Sequence, residues 1–229
     1  LVELLIGITV GLFVVAAAST VVANQLSDNR RLLLETQVQQ DLRAAMDTIT
    51  RQLRRAGTGA EANIEAAIAV SPTAGGAGNP FSDIITTTGS ASEIEFRFYL
   101  DADQQGPFGF KRDGGVILSR MRRTGGLSGV SWQDLTDPNT ITVTSFSVTP
   151  RTVTSAVLPC PKLCPVNATL DPAGIRQYCW PRHVVRSFVI EIEAVSRSDA
   201  SVRRALRNEV RVRNDLVNFH GGATTVCPL

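Results

Sequence analysis

Apolar side chains fill nearly every position from Leu1 to Ala23, interrupted by a single charge at Glu3. After Asn24 and Gln25 the chain turns polar, yet apolar residues recur at Val38, Leu42, Ala45/Met46, Ile49 and Leu53. Steps of three and four place these on one stripe of a helix. Arg30, Arg31, Asp41, Arg43, Asp47, Arg51, Arg54 and Arg55 take the remaining surface. No proline precedes Pro72, and after Gly11 the first strong stop is Gly57-Thr58-Gly59. The pattern predicts one continuous helix from the start to about residue 56, roughly 80 Å long. Its first 23 residues, about 34 Å of helix, are long enough to cross a hydrocarbon core of about 30 Å. A lone carboxylate there costs on the order of 2.5–3.5 kcal/mol near the bilayer centre and less near an end. A plain anchor has no need of it. A segment that leaves the bilayer and packs against copies of itself has a use for it as a pairing partner.

Beyond the helix the period changes from 3.6 to 2. Residues 57–92 are rich in Gly, Ala, Ser and Thr and read as loop, with a short helix at Glu61–Ala69. From Ser92 to Leu100, Ile94, Phe96, Phe98 and Leu100 alternate with Glu93, Glu95, Arg97 and Tyr99, the pattern of a half-buried antiparallel strand. Asp113-Gly114-Gly115 predicts a hairpin turn into a strand over Val116–Arg122. Over Thr140–Thr149 the apolar phase shifts between Val143 and Phe146, which predicts a bulge. Val184–Val195 and Leu206–Asn214 complete the strands. The fold class expected is α+β: one long helix, 1–56, packed on a mostly antiparallel sheet within a domain 57–229. A cysteine- and proline-rich loop is expected at 150–182.

The string Leu1-Val2-Glu3-Leu4-Leu5-Ile6-Gly7 resembles the N-terminus of mature type IV pilins and type II secretion pseudopilins. There Phe-Thr-Leu-Val-Glu-Leu-Leu-Ile follows a leader cleaved after glycine, so the chain would begin two residues inside the mature protein. Ser187–Ala194, Val195-Ser196-Arg197-Ser198-Asp199 and the stretch from Val202 to Asn214 resemble the closing strands of PilW-like minor pilins. The related secretion pseudopilin J ends similarly, and Phe98 to Gly106 looks like that group's central strand and turn. The resemblance implies a pilin fold and a minor pilin that primes type IV pilus assembly at or near the tip. The alternatives are a J-like pseudopilin of type II secretion or a membrane-tethered adhesin or DNA receptor. It also implies an inner-membrane start with the domain in the periplasm, then an extracellular filament. The implied partners are other minor and major pilins, an inner-membrane assembly platform and the bilayer, with DNA or a host surface as further candidates. Glu3 would neutralise the terminal ammonium of a neighbouring subunit, and Gly7-x-x-x-Gly11 is a small-residue spacing that admits close helix approach.

Composition changes the picture in two places. Net charge of +2 is too small to imply a polyanion partner from balance alone, and only Lys111 and Lys162 of the 23 basic residues are lysine, so any single arginine is weaker evidence of function. Four cysteines, Cys160, Cys164, Cys179 and Cys227, predict two disulfides in an oxidising compartment. Three pairings are open, and a zinc shell is the rival, with Cys-x₃-Cys looser than the usual knuckle. Arg30 and Arg31 after the apolar run would by the positive-inside rule put that end in the cytoplasm, which the cysteines oppose. Ala16-Ala17-Ala18 offers a cleavage-like site, against which the uninterrupted helix argues.

The remaining chemistry is sparse. His183 and His220 accompany no nucleophile, no phosphate-cradling glycine loop is present, and no enzyme or cofactor is expected. Asp101, Asp103 and Gln105, with Gly106, match the first half of a calcium loop, but Arg112 stands where the bidentate acid is needed. A polar turn is the expected reading. Arg120, Arg122 and Arg123, with Arg203, Arg204, Arg207, Arg211 and Arg213, are candidates for DNA phosphates or, as favoured here, charged strands that guard sheet edges.

Overall fold

The computed structural model describes residues 1–58, 84–86, 92–99, 107–120, 132–151, 155–161, 180 and 182–218. One helix, α1 (Val2–Arg54), runs unbroken for 53 residues, as the pattern predicts. Its buried face comprises Val38, Leu42, Ala45, Met46, Ile49, Thr50 and Leu53, so the apolar stripe read from the sequence is the packed face. Every residue from Leu1 to Leu33 is exposed. At about 1.5 Å per residue, α1 therefore projects roughly 50 Å beyond the domain.

Gly57, with φ 82°, ends the helix in a conformation that a Cβ disfavours. Its N–H donates to Arg97 O at 2.8 Å, and Tyr99 N–H donates to Thr58 O at 2.8 Å, which ties the helix end to the chain beyond the strand Glu93–Phe96. From the other side, Arg213 N–H donates to Arg54 O at 3.1 Å and Asn214 Nδ2 donates to Ala56 O at 3.2 Å. Carbonyls that a helix end leaves unpaired thus find partners in another element.

The described strands form antiparallel pairs throughout. β1 (Ile84–Thr86), β2 (Glu93–Phe96), β3 (Phe108–Asp113), β4 (Val116–Arg120) and β5 (Gln133–Asp134) form one sheet in that order. β6 (Ile141–Pro150), β9 (Ser187–Ser196) and β10 (Arg203–Arg211) form a second, with β9 central. β7 (Ser155–Val157), β8 (Arg182–Val184) and β11 (Leu216–Asn218) form a third, with β8 central. α1 packs on β9 and β10. Ile190, Ile192 and Ala194 of β9 join the helix stripe in one core with Ile94, Phe96, Phe108 and Phe110 of the first sheet. Phe98 and Phe108 stack with ring centroids 4.1 Å apart.

The hairpin turn is where the sequence puts it: Gly114 and Gly115 sit at φ 56° and 84° between paired Asp113 and Val116. Two positive φ values define the tight turn that matches strand twist. The bulge is also observed, since the register jumps between Val143 and Ser145 while Ile141, Val143, Phe146 and Val148 all stay buried. The α+β arrangement is as expected; the single sheet is not. The run read as one strand over Val184–Val195 is two, because β8 ends at Val184 and β9 begins at Ser187 in a different sheet. The last long strand spans Arg203–Arg211 rather than Leu206–Asn214, and β11 follows it. The helix expected at Glu61–Ala69 lies outside the described residues.

Candidate functional site

The apolar half of α1 carries four polar side chains: Glu3, Thr9, Ser19 and Thr20. The hydroxyls fold back on their own helix. Thr9 Oγ1 donates to Leu5 O and Ile6 O, Ser19 Oγ to Val15 O at 2.8 Å, and Thr20 Oγ1 to Ala17 O at 2.8 Å. A Ser or Thr hydroxyl can satisfy itself in this way inside an apolar medium. A carboxylate at the first turn cannot. Glu3 has no side-chain partner among the described residues, and only the positive end of the helix dipole favours it there.

Gly7 and Gly11 follow Glu3 at intervals of four, so the three lie along one side of the helix. A Cβ at either glycine would meet nothing within 4 Å. The side chain of Glu3 and the two glycines therefore face open space, and the exposed run includes Leu4, Leu5, Ile6, Ile8, Val10 and Leu12. One 18-residue window of α1 has a mean hydropathy of 2.4 and is long and apolar enough to cross a membrane. The arrangement presents an apolar rod with one unsatisfied charge and a small-residue strip, suited to association with lipid or with other helices.

Cys160 is buried and disulfide-bonded. The other three cysteines, Cys164, Cys179 and Cys227, lie outside the described residues, as do the calcium candidates Asp101, Asp103 and Gln105 and the arginines Arg122 and Arg123.

The β10 arginines are engaged. Arg207 Nε lies 3.2 Å from Glu191 Oε1 directly across on β9, and Arg203 Nη1 lies 3.2 Å from Glu193 Oε1. Arg204 reaches Glu35 on α1, which Arg31 also contacts at 3.2 Å. Arg211 shares Asp215 Oδ2 with His183 Nε2, both at 2.8 Å. On the first sheet Arg120 pairs with Glu95. This ladder occupies the edge strand of its sheet, which favours edge protection over phosphate capture for these residues. Arg213 is the exception, with no ion pair among the described residues. The sequence showed the arginines of β10 but not their glutamate partners, because pairing across β9 depends on register.

Comparison with known proteins gives one family. Residues 31–212 match the family described as prepilin peptidase-dependent protein B. No curated protein and no solved structure matches the chain significantly. The match begins beyond the apolar run, so it and the resemblance carried by Leu1 to Gly7 come from different parts of the molecule. Together with the long helix on antiparallel sheets they identify a pilin-related protein, and the chain belongs to the prepilin peptidase-dependent protein B family.

Proposed function

We propose that this protein is a minor pilin that primes type IV pilus assembly and sits at or near the pilus tip. The observation that carries the reading is the state of Glu3: every other polar side chain of the apolar segment is satisfied within its own helix, and this one waits for a partner. The chain rests in the inner membrane by residues 1–23 with its domain on the periplasmic side. The apolar helix then moves into a core of parallel helices, where Glu3 meets the terminal ammonium of a neighbouring subunit. In a dry core such a pair is favourable only when complete, and an unmatched partner costs about 3–5 kcal/mol. One carboxylate thereby sets the register of addition. The cysteines Cys160, Cys164, Cys179 and Cys227 form two disulfides on the oxidising side of the membrane.

The test uses sheared filaments. Labelled antibody against the domain is expected to mark one end of wild-type pili at most, and Glu3→Leu to insert in the membrane yet be missing from the filament fraction. Recovery of the variant at wild-type levels removes the pairing role. Decoration along the whole filament makes this a major pilin instead. Deletion separates the alternatives: loss of surface pili and twitching supports the pilus reading, loss of enzyme secretion a J-like pseudopilin, and loss of surface or DNA binding with both intact a tethered receptor.

A further inference from the structure

At the C-terminal end of α1, far from the apolar segment, a cavity of about 350 Å³ is lined by Arg51, Arg54, Arg55 and Arg213. Among the described residues, Thr50, Asp47 and Asn208 of β10 also line it. None of the four guanidiniums forms an ion pair among the described residues, in contrast to the paired ladder on β10. Even Asp47, four residues before Arg51 and on the same helix face, makes no ion pair with it. The guanidinium of Arg55 lies over the Phe98 ring, its central carbon 4.5 Å from the ring centroid, which holds that group in place. Arg213 is brought in by the bond from its own N–H to Arg54 O.

Cations in the last helical turn complement the carbonyl end of the helix dipole, which accounts for Arg51 and Arg54. It does not account for Arg213, which arrives from the far side and adds a like charge to a crowded site. Like charges at helical spacing destabilise one another, as Arg51 and Arg55 do at an interval of four. Four guanidiniums against one carboxylate leave about three positive charges around the cavity with no counter-charge among the described residues. A counter-anion with several oxygens resolves this. A single carboxylate is saturated by one guanidinium fork, whereas a phosphoryl group has three outward oxygens, each able to take more than one N–H.

We propose that this cavity is a binding site for a phosphoryl oxyanion, with Arg51, Arg54, Arg55 and Arg213 as the donors. Its place excludes one source. From Ala23 to Arg51 the helix rises about 42 Å, so on the membrane-anchored reading the headgroups of the chain's own bilayer do not reach it. The phosphoryl group comes instead from a soluble polyphosphate or from a nucleic-acid strand.

The experiment titrates tripolyphosphate into the full chain in a non-ionic detergent at low salt and follows the heat of binding. Saturable binding to one site per chain is expected, weakened about tenfold or more in the double variant Arg51→Gln, Arg213→Gln. The β10 pair Arg203→Gln, Arg207→Gln is expected to stay within about twofold of wild type. Circular dichroism checks each variant, and if the first double variant unfolds, Arg54→Gln alone, at an exposed position, is held to the same comparison. Displacement by a 5′-phosphorylated oligonucleotide but not by its unphosphorylated form assigns a terminal phosphate; equal displacement by both assigns the strand backbone. Absence of saturable binding overturns the proposal. So does an equal loss in both double variants, or binding of a polyglutamate peptide where tripolyphosphate does not bind.

Discussion

At the scale of single residues, what matters is whether a charge finds its partner inside the chain. Asp199 does. In the turn between β9 and β10 its Oδ1 accepts from Ser201 Oγ at 2.7 Å and from Ser201 N–H at 2.9 Å. These two bonds hold its carboxyl below the ordinary value of 3.8, and the charges of Arg31 and Arg30 lower it further. A depressed carboxylate stabilises the fold above its unfolded pKa, and that contribution is lost as pH falls through the lower folded value. Nuclear magnetic resonance titration of Asp199 is expected to give a midpoint below 3.8, and Ser201→Ala to raise it. An unchanged midpoint in that variant would show the Ser201 hydroxyl to be unimportant, since the backbone N–H bond remains. Glu3 is the opposite case, a charge whose partner has to come from elsewhere.

At the scale of elements, α1 is two helices in one. Ile49 is fully buried in its second half, and truncation to Ala is expected to cost about 2–5 kcal/mol through lost contacts and a residual cavity. Leu12, 63% exposed, makes no such contacts, so Leu12→Ala should leave the melting temperature of the domain unchanged. Equal effects at the two positions would mean that the projecting half folds back onto the domain. In the first sheet Gly109 of β3 leaves no room for a side chain, since a Cβ would lie 2.8 Å from Ile94 O and 3.3 Å from Trp132. Gly109→Val is expected to separate β2 from β3 and lower the melting temperature by several degrees, measured by circular dichroism.

The same elements show what could be read before folding. The helix stripe, the bulge after Val143 and the Gly114-Gly115 turn are local, and each was legible from spacing or residue type. Division into three sheets was not, because alternation through Val184 and Val195 says that strands exist and not which neighbour each one takes. β10 hid its limits for another reason: only Val210 within it is buried, and its remaining positions are exposed or half-buried, two of them carrying arginines paired with glutamates on β9. Glu3 stood out at once as a lone acid in an apolar run. The arginine cavity did not, since the approach of Arg213 to the helix end depends on a backbone bond between residues 54 and 213.

For the whole molecule, the core and the projecting helix meet without sharing residues. The first residue packed against the core is Leu34, and everything before it is exposed. The family match starts at residue 31, close to the same point. A form beginning at residue 31 therefore loses no buried contact. It keeps Glu35 near its new helix start, where the helix dipole favours an acid, and it keeps the bridge from Glu35 to Arg204. Its melting temperature is expected to stay within about 2 °C of the full chain in detergent, since surface changes away from packed features typically cost under about 0.5 kcal/mol. It is also expected to move from the membrane fraction to the soluble one, because the removed segment holds the only stretch of the described residues long and apolar enough to cross a bilayer. A large drop in melting temperature would show that the projecting half supports the domain. Persistence in the membrane fraction would place a second membrane contact on the domain itself.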